Sequence, residues 1–284
     1  MLKKINVFKW TAIIPVYVWM LLFILLPNLY IFVMSFMKRG IYGGVEWGFT
    51  FDNYLNIFHS MYLNIFIHSM LLALEITVIC LLIAYPFTLF IMNQTKIVQT
   101  VAIAAVTIPF MISSLVRLFA WITLLQTNGV FNTLLIDFHI VKQPLNMLYT
   151  NGAVILGMAY MLLPFMILPI YASMEKIDFR LIEAAKDLGA RNSKVLTTIL
   201  LPLTIPGIFA GSILVFIPSL GYFFVSDMLG GSQTILIGSM IRDQFLTARD
   251  WPFGAALSVF LIILTLAVLK IYSKLGGKMD DLGV

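Results

Sequence analysis

The chain alternates between long apolar runs and short polar intervals. Six apolar runs stand out, at about 12–36, 65–91, 98–124, 152–172, 203–226 and 253–273. A helix rises ~1.5 Å per residue and a hydrocarbon core is ~30 Å thick, so each run is long enough to cross a bilayer once. Backbone N–H and C=O groups in lipid must be satisfied within the crossing itself, which makes each run a helix. The pattern therefore predicts an all-α polytopic membrane protein with six transmembrane helices. It reads as a first transmembrane helix with its outer loop (1–64), a core (65–273) containing a polar loop at 173–202, and a short tail (274–284). A short interfacial helix is expected near Asp52-Asn53-Tyr54.

Composition agrees. Of 284 residues, 61% are hydrophobic and 11% charged, with a mean hydropathy of +1.00, more apolar surface than a soluble domain can bury. Lys3, Lys4 and Lys9 precede an apolar run, Ala12 to Phe36, that is too long for a signal peptide and has no small-residue cleavage site after it. It reads as a retained first span. The single cysteine, Cys80, excludes a disulfide framework within the chain. The net charge of +5 is informative through its placement rather than its sum. With a cytoplasmic N-terminus, six spans return the C-terminus to the cytoplasm. Lys3, Lys4, Lys9, Lys96, Lys176, Arg180, Lys186, Arg191, Lys194, Lys270, Lys274 and Lys278 then lie inside, 12 of the 18 basic residues. Lys38, Arg39, Arg117, Lys142, Arg242 and Arg249 lie outside or at span ends. That bias orients both termini to the cytoplasm.

The loop at 173–202 is then the longest cytoplasmic segment. Asp178 suits an N-cap, Ile177, Leu181, Ala184 and Leu188 form one apolar stripe, and Gly189 ends the helix. Ser193 is expected to cap a second helix running to Pro202. Ala184 and Ala185 leave a face without bulk, ringed by Glu183, Lys186, Asp187 and Arg191. Such a loop either connects two spans as a solvated hairpin or offers a docking surface.

The spacing Glu183-Ala184-Ala185, Gly189-Ala190, then Ile199-x-Leu201-Pro202 resembles the "EAA" signature of bacterial ABC-importer permeases. The stretches LLPNLYIFVMSF (25–36), FTFDNYLNIF (49–58), IPFMISSLVRLFAWITLL (108–125), YMLLPFMILPIYASMEKID (160–178), GYFFVSDMLGG (221–231) and RDWPFGAALS (249–258) resemble the spermidine/putrescine permeases of the PotB type. The resemblance implies a type I (MetI-like) ABC importer permease fold in a bacterial plasma membrane. It implies a second, homologous permease subunit, a dimer of ATPase subunits that bind ATP-Mg, and an extracytoplasmic polyamine-binding protein. It further implies that residues 183–190 couple to the ATPase. Glu183 would make polar contacts, Ala184 and Ala185 would pack, Gly189 would shape the turn, and Asp187 and Ala190 would complete the motif. A related importer for an amino acid, sugar or anion would share this layout.

The residues contain no rival chemistry of their own. No G-x-x-x-x-G-K-[S/T] loop is present, since Gly277-Lys278 is followed by Met279, and neither H-E-x-x-H nor G-x-S-x-G occurs. His59, His68 and His139 lack metal-ligand spacing, so no metal, no cofactor and no catalytic residue are expected on this chain. A secondary transporter would need inverted repeats or a chain of intramembrane ions, and neither is evident.

Glu75 is the sharpest pathway candidate. It sits about 15 Å into the second span, where a charge costs roughly 2.5–3.5 kcal/mol on insertion scales, with His68 on the same face. It either lines the pathway or hydrogen-bonds a neighbouring helix. Asp227 follows Tyr222-Phe223-Phe224 at the outer end of span 5. A carboxylate beside aromatic rings suits an ammonium substrate, and an interfacial aromatic belt is the other reading. Arg117, placed near the outer end of span 3, either snorkels or braces a gate. Asp243 and Asp250 are outer-loop residues, solvated or in contact with the binding protein. Pro206, Gly207, Gly211, Pro218 and Gly221 predict a span 5 that packs closely and bends.

Overall fold

The computed structural model describes residues 13–178, 180–231 and 234–274, the last three as backbone only. Lys3, Lys4, Lys9 and the tail from 275, with Lys278, lie outside the described residues. Among the described residues, six helical segments are long and apolar enough to cross a membrane, the third of them 114–137. In chain order the helices are α1 (Ile13–Met34), α2 (Asp52–Ile57), α3 (Ser60–Met92), α4 (Lys96–Met111), α5 (Ser114–Leu125), α6 (Val130–Asp137), α7 (Asn151–Glu175), α8 (Arg180–Asp187), α9 (Asn192–Gly221), α10 (Phe223–Val225), α11 (Ile237–Leu246) and α12 (Trp251–Lys274). Two short strands, β1 (Lys38–Arg39) and β2 (Val45–Glu46), pair antiparallel. By contact the chain divides into two compact units, 1–63 with 240–264 and 64–239 with 265–284.

In the first unit, α1 buries only Met34 against the rest of the chain. The expected short helix forms as α2 and is pinned to the end of α1. Asn53 Nδ2 donates to the carbonyls of Ser35 and Met37 (both 2.9 Å), and Ser35 Oγ lies 2.7 Å from the Tyr54 hydroxyl. The β hairpin is strapped to residues 248–250. Arg39 donates to the Ala248 carbonyl at 2.8 Å and lies 3.8 Å from Asp250, while Gly44 N–H donates to the Arg249 carbonyl.

The second unit is organised around α7, where Met158, Leu162, Met166 and Ile170 are fully buried. Helix α9 packs directly on it. A Cβ on Gly207 would lie 2.6 Å from the Pro169 carbonyl, and one on Gly211 would lie 2.8 Å from Met166 Sδ. These glycines allow the close approach expected of Gly207-x-x-x-Gly211.

The third crossing is broken, where an unbroken run over 98–124 was expected. Ile112 and Ser113 are extended between α4 and α5, just after Pro109, and only Ser113 and Ser114 interrupt the apolar run there. Contacts with α7 nevertheless trace one crossing. The Tyr171 hydroxyl donates to Gln99 Oε1 (3.4 Å), Phe110 meets Phe165 with ring centroids 5.0 Å apart, and Trp121 meets Tyr160 at 5.4 Å. Partners on α7 fall in number as those on α4 and α5 rise, so both helices run antiparallel to α7 in the same sense. By length and composition alone 114–137 also qualifies as a span, but residues 126–129 interrupt it. Asn132 ties α6 back, donating to the Gln126 and Leu145 carbonyls.

Two boundaries also differ. The helix after the 173–202 loop starts at Asn192, with Ser193 inside it rather than capping it, and continues through Pro202. A wide turn at Leu196–Leu200, closed by the Leu201 N–H to the Leu196 carbonyl, shifts the hydrogen-bond register just ahead of the missing Pro202 N–H. Span 5 ends at Gly221 rather than 226, because Tyr222 (φ −77°, ψ 60°) leaves the helical region.

Candidate functional site

Two places hold the candidate residues. At one end of the second unit, α8 is set by its caps. Asp178 Oδ1 accepts the Arg180 N–H at 3.0 Å, the capping role expected of it. At the other terminus Gly189 N–H donates to the Lys186 carbonyl (2.8 Å) and Ala190 N–H to the Ala185 carbonyl (3.0 Å). Gly189 sits at φ +80° with open space around its Cα, so the backbone conformation, not packing, requires glycine here.

This double closure fixes which face α8 presents. Half-buried Ile182 and exposed Lys186 border a cavity of about 310 Å³ whose walls include Leu89, Met92, Met174, Val195 and Leu196. The stripe of Leu181, Ala184 and Leu188 turns outward, with Leu188 89% exposed. Glu183 and Asp187 are exposed beside it, while Ala185 and Ala190 are half-buried. An exposed leucine pair around a small alanine, rimmed by carboxylates, can receive another protein. Lys96 and Glu175 pair at 3.4 Å at the same end. Both are exposed, so the pair contributes little.

At the opposite end of α7, the chain leaves α9 at Tyr222 and re-enters a helical turn, α10, that widens at Ser226–Gly230. Asp227 is half-buried there and accepts a hydrogen bond from Ser239 Oγ at 3.1 Å. Tyr222 packs on Phe224 with ring centroids 5.2 Å apart, and Phe223 is 37% exposed. A seam of small polar residues that hydrophobicity does not reveal holds this segment. Ser226 Oγ donates to the Thr234 carbonyl, Thr234 Oγ1 to Asn151 Oδ1 (2.6 Å), and the Ile237 N–H to Ser69 Oγ (3.0 Å). Gly157 and Gly230 admit Leu229 and Val154 between α7 and the turn.

Glu75 does not join Asp227. It stands at the midpoint of the 33-residue α3, about 9 Å along the helix from Ser69. It is exposed on a face shared with Leu71, Leu74, Val78 and Leu82, and His68 is exposed on the same side. Arg117 is not near the outer end of its span. Its guanidinium carbon lies 5.5 Å from the centroid of the Phe110 ring, which meets Phe165 edge-on at mid-length of α7. The break at Ile112-Ser113 separates it from the helix that carries Phe110. Asp243 and Asp250 have partners within the chain. Arg242 donates to Asp243 at 2.7 Å, and Asp250 caps α12 through the Phe253 N–H (3.2 Å). Among the described residues no three His, Cys, Asp or Glu side chains converge.

Residues 94–279, which contain both ends of this arrangement, match the family of binding-protein-dependent transport system inner membrane components. The chain belongs to that family. Within it, the spermidine/putrescine transport system permease protein PotB of Salmonella typhimurium is 40% identical over 285 residues, covering 99% of both chains. PotB of Escherichia coli is 41% identical over 260 residues, covering 92% of this chain and 94% of that one. Among solved structures, a chain of a bacterial alginate ABC transporter, crystallised with a pentasaccharide-bound periplasmic protein, superposes with a TM-score of 0.78. It is 18% identical and covers 95% of this chain and 93% of that one, a likeness of fold alone. The matched residues include the last four crossings and the 183–190 loop.

Proposed function

We propose that this chain is the permease subunit of an ATP-driven importer for spermidine and putrescine. It forms half of the translocation pathway with a second, homologous permease. The observation that carries this reading is the outward face of α8, Leu181, Ala184 and Leu188 with Glu183 beside them, in a chain 40% identical to PotB over its length. In this reading α8 docks on a dimer of ATPase subunits that bind ATP-Mg, and the chain itself catalyses nothing. In this reading α8 and both termini lie in the cytoplasm of a bacterial cell, which the lysine and arginine bias supports. An extracytoplasmic binding protein delivers polyamine to the opposite end.

The mechanism is alternating access. ATP draws the ATPase dimer together and carries α8 with it. Helices α7 and α9 flank α8 in sequence and pack through Gly207 and Gly211, so they move as one body. At their far end this body holds Asp227 through the Ser226, Thr234 and Asn151 seam. Displacement of α8 therefore reaches the substrate-facing segment without a flexible joint. Each state is selected by its own ATPase contact, and the difference between those contacts is the coupling energy. Asp227, beside Tyr222 and Phe223, receives an ammonium group, and Glu75 receives one deeper in the pathway. Asp243 and Asp250, already paired within the chain, shape the outer loops.

The test is uptake into cells lacking other polyamine importers, with the chain and its partners supplied together. Saturable, ATP-dependent entry of labelled spermidine or putrescine, not displaced by amino acids, sugars or oxyanions, is the expected result. Uptake of one of those competitors instead would reassign the substrate while keeping the family.

A further inference from the structure

Arg117 is a cation deep in the membrane with no carboxylate partner among the described residues. Phe165, which supports the Phe110 ring under the guanidinium, lies ~21 Å from the first residue of α7 and ~15 Å from its last. Both distances exceed what the end of a ~30 Å hydrocarbon core allows, so the guanidinium sits within the core. Snorkelling does not relieve it. Side chains on a helix lean toward its N-terminus, and that of Arg117 leans back to Phe110, away from the membrane face toward which α5 runs. Among the described residues, Nε is buried without a hydrogen-bond partner and no carboxylate lies within ion-pair distance. The Phe110 ring faces the cation but cannot accept the Nε–H in the way an oxygen does.

The surface around the elbow is bare. Met111 is 83% exposed, and Ile112, Leu115, Val116 and Phe119 are all exposed. Lipid tails covering this surface would offer the guanidinium no acceptor, and headgroup phosphates lie too far away. A membrane-depth arginine is retained where a protein partner or a wet cavity completes it.

We propose that Arg117 is completed by a carboxylate side chain of the second permease subunit, which packs over the elbow at Ile112-Ser113. This rests on the reading that the chain works as half of a permease pair. Charge selects the occupant, because an apolar helix packing on Met111, Leu115 and Phe119 must also bring an acid to Arg117. The planar guanidinium suits a two-point contact with that acid, so the pair also sets the register between subunits.

The test uses the whole transporter, with the tag on this chain and the second permease quantified after extraction. Wild-type chain that brings down no second permease would refute the pairing itself, independently of Arg117. Given pairing, Arg117→Lys should retain the second permease within about twofold, and Arg117→Met and Arg117→Glu should lose it tenfold or more. Changing the intramembrane Asp and Glu residues of the second permease to Lys, one at a time, should restore Arg117→Glu at a single position. Retention of the second permease by Arg117→Met at the wild-type level would overturn the proposal. So would Arg117→Cys, in a Cys80→Ser background, that binds the second permease normally and reacts rapidly with a charged water-borne thiol reagent, since that side chain faces water. Should Arg117→Glu fail to insert, the Met and Cys variants decide.

Discussion

The Ala190 N–H donates to the Ala185 carbonyl across 3.0 Å, with Gly189 at φ +80° between them. This closure ends α8 at Asp187, one residue before Leu188, and leaves that leucine standing outward. The identity of position 189 thus controls a surface that it does not itself touch.

A β-branched residue at 189 cannot take that φ cheaply. Gly189→Val should cost about 1–2 kcal/mol at the turn and unwind the last residues of α8. The expected result is normal insertion with several-fold weaker retention of the ATPase on extraction, and a smaller loss for Gly189→Asn. Equal retention by the valine variant would mean that the closure does not set the docking face.

Gly207→Leu should disturb the α7–α9 contact, where even a Cβ meets the Pro169 carbonyl at 2.6 Å. Overpacking of this kind costs roughly 1–3 kcal/mol. Thermal denaturation of the purified complex should show the loss, and uptake per folded complex should fall with it. Lower stability with unchanged uptake per folded complex would show that the helix pair is not the moving body.

The length of each apolar run is set by the bilayer, which is why six crossings could be read from the sequence. The capped loop was legible for a similar reason, because Asp178 and Gly189 act locally and within a few residues. The break at Ile112-Ser113 was not, since its neighbours stay apolar and only Pro109 and two serines hint at it. The depth of Arg117 was lost with it. The seam of Ser226, Thr234 and Asn151 joins residues far apart in sequence, and single serines and threonines in apolar runs do not announce partners. Span 5 carries Pro206 and Pro218, yet its helix continues past both and breaks at Tyr222, so a count of helix breakers does not say where the helix ends.

Asp227→Asn keeps an oxygen for the Ser239 hydroxyl and removes only the charge. Uptake should show an apparent KM for polyamine raised about tenfold, or ~1.4 kcal/mol, at unchanged protein level. Ser239→Ala, which loosens the carboxylate without discharging it, should give a smaller rise. Unchanged kinetics for Asp227→Asn would remove this residue from the pathway.

Glu75→Gln tests whether the mid-membrane carboxylate serves transport or assembly. A pathway role predicts uptake lowered several-fold with the same amount of second permease recovered. Reduced recovery with normal uptake per complex would make Glu75 an interface residue.

Asp250→Ala removes the cap of α12 and the ion pair to Arg39 together. The expected loss is about 1 kcal/mol of stability, seen in thermal denaturation, with no change in polyamine KM. A raised KM would give Asp250 a part in substrate delivery beyond this structural one.

The central claim is that α8 is where an ATPase holds this chain. The most direct measurement is to purify the tagged chain from its own membrane, wild type beside Glu183→Arg, and quantify every co-purifying protein by mass spectrometry. The account predicts one second permease and two ATPase copies with the wild type, and loss of the ATPase alone with Glu183→Arg. Recovery of the wild-type chain by itself, or of a homo-oligomer without an ATPase, would contradict it.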